Sequence, residues 1–280
     1  MKHGTILSLL ICAVAATVGG AEPPKEITVD LGSGEKLEMV LIPAGSFMMG
    51  TARGERDEYP VHKVNITKPF YLAKYELTQQ QWAVVMGGKA PGRFQNPKHP
   101  VESLVRLHVA EFLKKLNEKL GGRPFIGRHP LDLKGSPRTL GTYRLPTEAQ
   151  WEYACRAGSN AKYSFGDDER QLVQYAWFYE NSEGTTHPVG EKKPNRWGLY
   201  DMHGNVWEMC RDEYFSDYYT ISTTDDPPGP PATHRRVGVV RGGGWNYSAK
   251  GCRSSDRGYF IMNKGSDNLG FRVSRSVEPK

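Results

Sequence analysis

The hydrophobic positions of this chain fall into short runs separated by glycine, proline and polar turns, and only three stretches are long enough to show a helical period. "TQQQWAVVMGG" opens with Thr78 three residues before Gln81, the spacing of a capping box, and stops at Gly87 and Gly88. "SLVRLHVAEFLKKLNEKLGG" is the longest; Val109, Phe112, Leu113, Leu116 and Leu120 share one helical face, and Gly121 and Gly122 end it. In "LPTEAQWEYACRAG", Thr147 and Gln150 repeat the box, Trp151 and Ala154 face inward, and Cys155 lies near the helix end. Strands are predicted within "EKLEMVLIPAGSFMMG", "HKVNITKPFYLAKYEL" and "RVGVVRGGGW", each bounded by turn residues. Two segments read as long loops: Arg123 to Thr142, mixed in proline, glycine and basic residues, and Ser216 to Arg236, whose "DDPPGPP" suits neither a helix nor a central strand. The pattern predicts a loop-rich α+β domain held by packed aromatics, with no repeat and no compositional break to divide it.

The first residues change where that domain begins. "MKHGTILSLLICAVAATVGGAEPP" carries Lys2 and His3, an apolar run from Ile6 to Val18 and small residues at Gly19 and Ala21, the layout of a signal peptide over residues 1–21. The run is too short to span a bilayer, and no later segment approaches a span, so an exported, soluble chain is expected, periplasmic or extracellular, with one domain over residues 22–280. The formal charge of +6 is modest and its basic residues are dispersed, which argues against a nucleic-acid module. Cys12 leaves with the leader; Cys155, Cys210 and Cys252 remain, an odd count in a compartment that permits disulfides.

Local chemical signatures are sparse. There is no HExxH, no pair of CxxC motifs, no GxSxG and no P-loop. "GLYDMHGNVWEMCRD" places Asp201 and Glu208 seven residues apart around the turn His203-Gly204-Asn205. Such a turn can suit calcium, which takes six to eight oxygen ligands from carboxylates and carbonyls; on spacing alone it better suits a capping Asp201 and a Glu208 paired with an arginine, since two carboxylates in a loop are common.

Taken together, "MVLIPAGSFMMG", "KPFYLAKYELTQQQW", "RLPTEAQWEYACRAG", "THPVGEKKPNRWGLYDMHGNVWEMCRD", "VVRGGGW" and "NLGFRV" occur in the order found in the formylglycine-generating enzyme, or sulfatase-modifying factor, family, and the resemblance runs from about Met39 to Val273. It implies the formylglycine-generating-enzyme fold, related to C-type lectins and poor in regular secondary structure. It also implies bound calcium, with Asp201 and Glu208 as side-chain ligands and Gly204 and Val206 as backbone ones. A second family calcium site is not recognisable at Ala176-Trp177-Phe178. Active members oxidise a sulfatase cysteine within a CxPxR-like sequence to Cα-formylglycine, using dioxygen and a copper(I) held by two cysteines. Two are needed because copper(I) is soft and favours a pair of thiolates.

Counting from Arg241, the active pattern expects cysteines six and eleven positions on; those positions hold Tyr247 and Cys252. A phenol does not replace a thiolate toward copper(I). The serine usual after the two glycines is Gly244, Val105-Arg106 stand where the family shows Ser-Trp, and the 123–142 loop resembles an insertion. Counting back from "NLGFR" moves Cys252 into a second register, toward a family disulfide whose other end resembles Cys155 in "WEYACRAG". That bridge would close a loop of about a hundred residues and contribute on the order of 4 kcal/mol. Two readings follow. The preferred one is a calcium-stabilised binding module for a peptide, a glycan or a sulfatase, with Trp207 and Trp245 beside Tyr247 as its floor; the same tryptophans also suit core packing. The alternative is a working oxidase with Cys252 as its catalytic thiol. Cys210, behind Trp207 and Glu208 in an expected buried turn, reads as an inert thiol.

Overall fold

Alternation in "EITVDLG" and "EKLEMVLI" builds β1 (Glu26–Gly32) and β2 (Glu35–Ile42), a hairpin that the sequence reading began one strand too late. β3 (Gly45–Met49), β4 (His62–Ile66) and β5 (Phe70–Ala73) follow, then α1 (Gln79–Met86) and α2 (Arg106–Lys119). β6 (Tyr143–Arg144), α3 (Glu148–Arg156), β7 (Trp207–Glu213), β8 (Val237–Arg241), β9 (Gly258–Ile261), β10 (Leu269–Gly270) and β11 (Ser274–Ser276) complete the order. This computed structural model describes residues 23–121, 143–231 and 236–277. The expected leader and the 123–142 loop lie outside them.

Both predicted capping boxes form. The Thr78 and Gln81 side chains each accept from the other's backbone N–H, at 3.1 and 3.0 Å, and Thr147 and Gln150 do the same at 3.1 Å. An N-cap of this kind contributes about 1 kcal/mol to a helix too short to stand alone.

One antiparallel sheet runs in the order β1-β2-β5-β11-β6, so the last strand is inserted between elements made early in the chain. Against this sheet α2 buries Val109, Phe112 and Leu116 completely, with Leu113 and Leu120 partly buried. Phe112 stacks on Trp82 of α1 at 5.2 Å and meets Phe271 edge-on at 5.5 Å. Each fully buried side chain of this size is worth about 1.5–3 kcal/mol.

A second sheet, β10-β7-β8-β9, carries the site. Its central strand β7 stands where a turn was expected for Cys210. Glu208 and Asp212 hid the strand, since two acids do not look like an interior strand, yet both are buried and satisfied from a distance. Asp212 accepts the N–H of Glu148 at 2.9 Å, and Glu208 is paired with Arg272. Among the described residues, no helix is long and apolar enough to cross a membrane.

Candidate functional site around the turn from Arg241 to Asn268

β8 ends at Arg241, and the chain turns through Gly242, Gly243 and Gly244 over the side of Trp151. Arg241 is wholly buried and anchors this turn from below. Its guanidinium donates to the Glu152 carboxylate, to the carbonyl of Asp256 and, at 3.2 Å, to that of Ser254. Burial opposes a charge there, but Glu152, Tyr219 and Glu148 outweigh it and hold Arg241 protonated. Arg257 forks onto Glu148 at 2.6 and 2.9 Å, and Arg253 onto Glu58 at 2.7 and 2.8 Å. Although burial pushes Glu148 up, Arg257 and Arg241 keep it below the usual carboxylate range. Arg241 at the end of β8 and two arginines of the loop after it are thus clamped by acids from α3 and from the segment after β3.

Cys252 ends a short 3-10 turn (Ala249–Cys252) and is wholly buried with Tyr163, Leu172, Ala176 and Phe178. Burial pushes its thiol far above the ordinary range. Cys155 is also buried and pushed up to about 12, and Cys210 is raised well above its ordinary value, in both cases chiefly by burial. All three are free thiols, so the expected Cys155–Cys252 bridge is not formed. The imidazole of His203 is associated with both residues. Its Nδ1 donates to the Cys252 carbonyl at 2.9 Å, its Nε2 accepts from Ser164 N at 3.1 Å, and Cys155 Sγ lies 3.9 Å from Nε2. Burial depresses this ring to about 4, which keeps it neutral.

Of the proposed binding aromatics, Trp207 is 5% exposed and belongs to the main core, which corrects its expected place in a floor. Trp245 is half-buried; its Nε1 donates to Asp267 O at 3.0 Å and its ring meets Phe94 edge-on at 5.4 Å. Tyr247 is 41% exposed and stands perpendicular to Trp207 at 5.1 Å. Tyr179, which the sequence reading passed over, is 70% exposed and joined to this turn by its N–H to the Tyr247 carbonyl at 2.9 Å. Asn246 and Asn268, hydrogen-bonded to each other at 2.9 Å, and Ser266 complete an aromatic and amide face.

Behind that face lies the acid cluster. Glu208, expected as a calcium ligand, has both oxygens bound by protein: Arg272 reaches them at 2.5 and 2.6 Å, and Trp151 Nε1 adds 2.7 Å. Asp201 differs. Its Oδ2 accepts from Gly190 N at 2.8 Å, while Oδ1 is buried without a partner. Burial raises Asp201 to about 6. Glu76, not singled out from sequence, joins them by accepting from Asn205 Nδ2 at 2.7 Å and Val206 N at 3.0 Å. Three buried carboxylates therefore face the single guanidinium of Arg272. Burial and the two neighbouring acids raise Glu76 well above its ordinary value, so the feature here that fits a cation is the orphaned Asp201 oxygen. Copper(I) does not fit, because Tyr247 occupies one of the two expected thiolate positions.

The fold and this site define a loop-rich α+β protein of formylglycine-generating-enzyme type. The family model of the sulfatase-modifying factor enzyme 1-like domain matches residues 30–277, and the chain belongs to that family. It is 31% identical to a formylglycine-generating enzyme of Streptomyces coelicolor, with 85% of this chain and 89% of that one covered. It is 32% identical to serine/threonine-protein kinase pkn1 of Chlamydia pneumoniae over 86% of this chain, but spans only 38% of that relative. The solved structure of Treponema denticola variable protein 1 superposes with a TM-score of 0.81 at 30% identity, over 91% of this chain and all of that one.

Proposed function

We propose that this chain is an exported, calcium-stabilised binding member of its family and has no formylglycine-forming oxidase activity. The observation that carries this reading is the state of Cys252: fully buried, its thiol held protonated, and paired with a tyrosine rather than a cysteine at the copper position. A thiol in that state is neither a ready copper ligand nor a nucleophile. Relatives about a third identical to this chain carry different names, a formylglycine-generating enzyme and, matched over only 38% of its length, a protein kinase; a fold by itself does not confer a chemistry.

The binding surface is the face of Tyr179, Tyr247, Trp245, Asn246 and Asn268. Rigid aromatics beside adaptable amides suit a peptide segment of a partner protein, a sulfatase among the candidates. With copper(I), oxygen and a CxPxR peptide, mass spectrometry is expected to find no aldehyde. The peptide or protein partner should bind, and Tyr247→Ala and Tyr179→Ala should each weaken that binding by about 1–3 kcal/mol. Aldehyde formation by the unaltered protein that vanishes in Cys252→Ala would replace this reading with the oxidase.

Calcium is supported by the buried, unpartnered Oδ1 of Asp201. Calcium at about a hundred times its Kd is expected to add about 2.7 kcal/mol to stability, raising Tm by several degrees relative to a chelator. The increment should disappear in Asp201→Ala. An equal Tm with and without calcium in the unaltered protein would remove the ion from the account.

A further inference from the structure

Between the end of α1 and the first turn of α2 the chain leaves a shallow, largely open apolar cleft of about 400 Å³, lined by Trp82, Met86, Gly88, Ala90, Pro91 and two basic side chains, Lys89 and His108. We propose that this cleft is a binding site for a small amphipathic anion, a carboxylate carried on a flat apolar body. Pockets that hold small ligands range over roughly 300–1,000 Å³ and pair an apolar lining with a few polar groups. Here the apolar part is rigid: Trp82 is braced from behind by its stack on Phe112.

The charge of the rim selects the ligand. Lys89 and His108 are exposed at the mouth, and no carboxylate lines the cleft. His108 Nδ1 accepts the Val105 N–H at 3.4 Å, which leaves the proton on Nε2 as an outward donor. The first turn of α2 contains no acidic residue to offset the positive end of this 14-residue helix. The opposing negative end of α1 is tempered by Lys115, whose Nζ donates to the Met86 carbonyl at 3.3 Å. A cationic ligand would be repelled by Lys89 and Lys115, while a neutral one would leave the donors unused. An anion on an apolar body engages both halves of the site.

Three probes of one shape separate the contributions: 2-naphthoate, 2-naphthalenemethanol and 2-naphthylmethylammonium, titrated against the full chain by backbone amide NMR. Naphthoate is expected to bind about tenfold tighter than the alcohol and the ammonium to bind weakest, with shifts confined to the ends of α1 and α2. Lys89→Ala with His108→Ala should erase the preference for the anion while leaving the alcohol within about twofold. Both side chains are exposed, so the fold should tolerate their loss. Gly88 lines the cleft, lies outside the left-handed region and has open space where a Cβ would stand, so Gly88→Phe adds bulk at the cleft without backbone strain and should weaken all three interactions at least about tenfold. Equal affinity for the three probes, no binding at millimolar concentration, or binding that Gly88→Phe leaves unchanged would each overturn the proposal.

Discussion

Replacing Arg241 with alanine is expected to destabilise the protein by about 3–5 kcal/mol, the cost of breaking a buried ion pair from one side. The substitution leaves the Glu152 carboxylate, completely buried in the middle of α3, without its guanidinium partner from β8. Glu152 Oε1 would keep the Arg156 contact at 2.8 Å and the Gly50 N–H at 3.0 Å, but Oε2 would lose its guanidinium donor. The carbonyls of Ser254 and Asp256 lose theirs as well, and with them the tie between β8 and the loop that holds Cys252. Urea unfolding would show this as a lower midpoint at an unchanged m-value. Arg241→Lys should recover little, because one ammonium cannot serve a carboxylate and two carbonyls in a planar fork. A loss under about 1 kcal/mol would mean that water solvates the cluster after truncation, and the clamp would not be the anchor of this turn.

The second large effect is expected from Gly243→Ala, at roughly 2–4 kcal/mol. Gly243 has φ +79°, in the left-handed region, where a side chain costs about 1–2 kcal/mol. A Cβ there would also stand 2.6 Å from Cys252 Sγ and 2.8 Å from the Gly251 carbonyl, and overpacking of this kind costs a further 1–3 kcal/mol or so. The two contributions can be separated. In Cys252→Ala the sulfur is gone, so Gly243→Ala on that background should cost about 1 kcal/mol less than on the unaltered chain. Thermal or urea unfolding of the four proteins closes the cycle. Strict additivity would show that Cys252 does not abut the glycine turn, and would move it away from the buried position on which the binding-module reading rests.

Much of the fold was legible because it is local. Thr78 with Gln81 and Thr147 with Gln150 write their hydrogen bonds into a three-residue spacing, and α2 announces its buried face by the period of Val109, Phe112 and Leu116. β1 was equally available in the alternation of Ile27, Val29 and Leu31, and was missed by starting the strand pattern at Glu35. β7 was not available. Its buried acids read as loop or metal ligands, and what neutralises Glu208 is Arg272, 64 positions away. The glycines after Arg241 were visible as a turn, but not the network of Glu148, Glu152 and Glu58 that clamps Arg241 and the arginines of the loop after it.

For the site, the sequence by itself determined the family, the missing cysteine at Tyr247 and the acidic turn around Asp201, since each is a matter of residue identity in register. Only the tertiary structure decided what those residues do. It sent Glu208 to Arg272 and left Asp201 with the unpartnered oxygen; it brought in Glu76, buried Trp207 and exposed Tyr179. It also placed Cys155 and Cys252 as separate buried thiols, each associated with the neutral imidazole of His203. The physical reason is the same throughout. A thiol, a carboxylate or an indole takes its role from burial and from partners, and here those partners are supplied by strands and loops far apart along the chain.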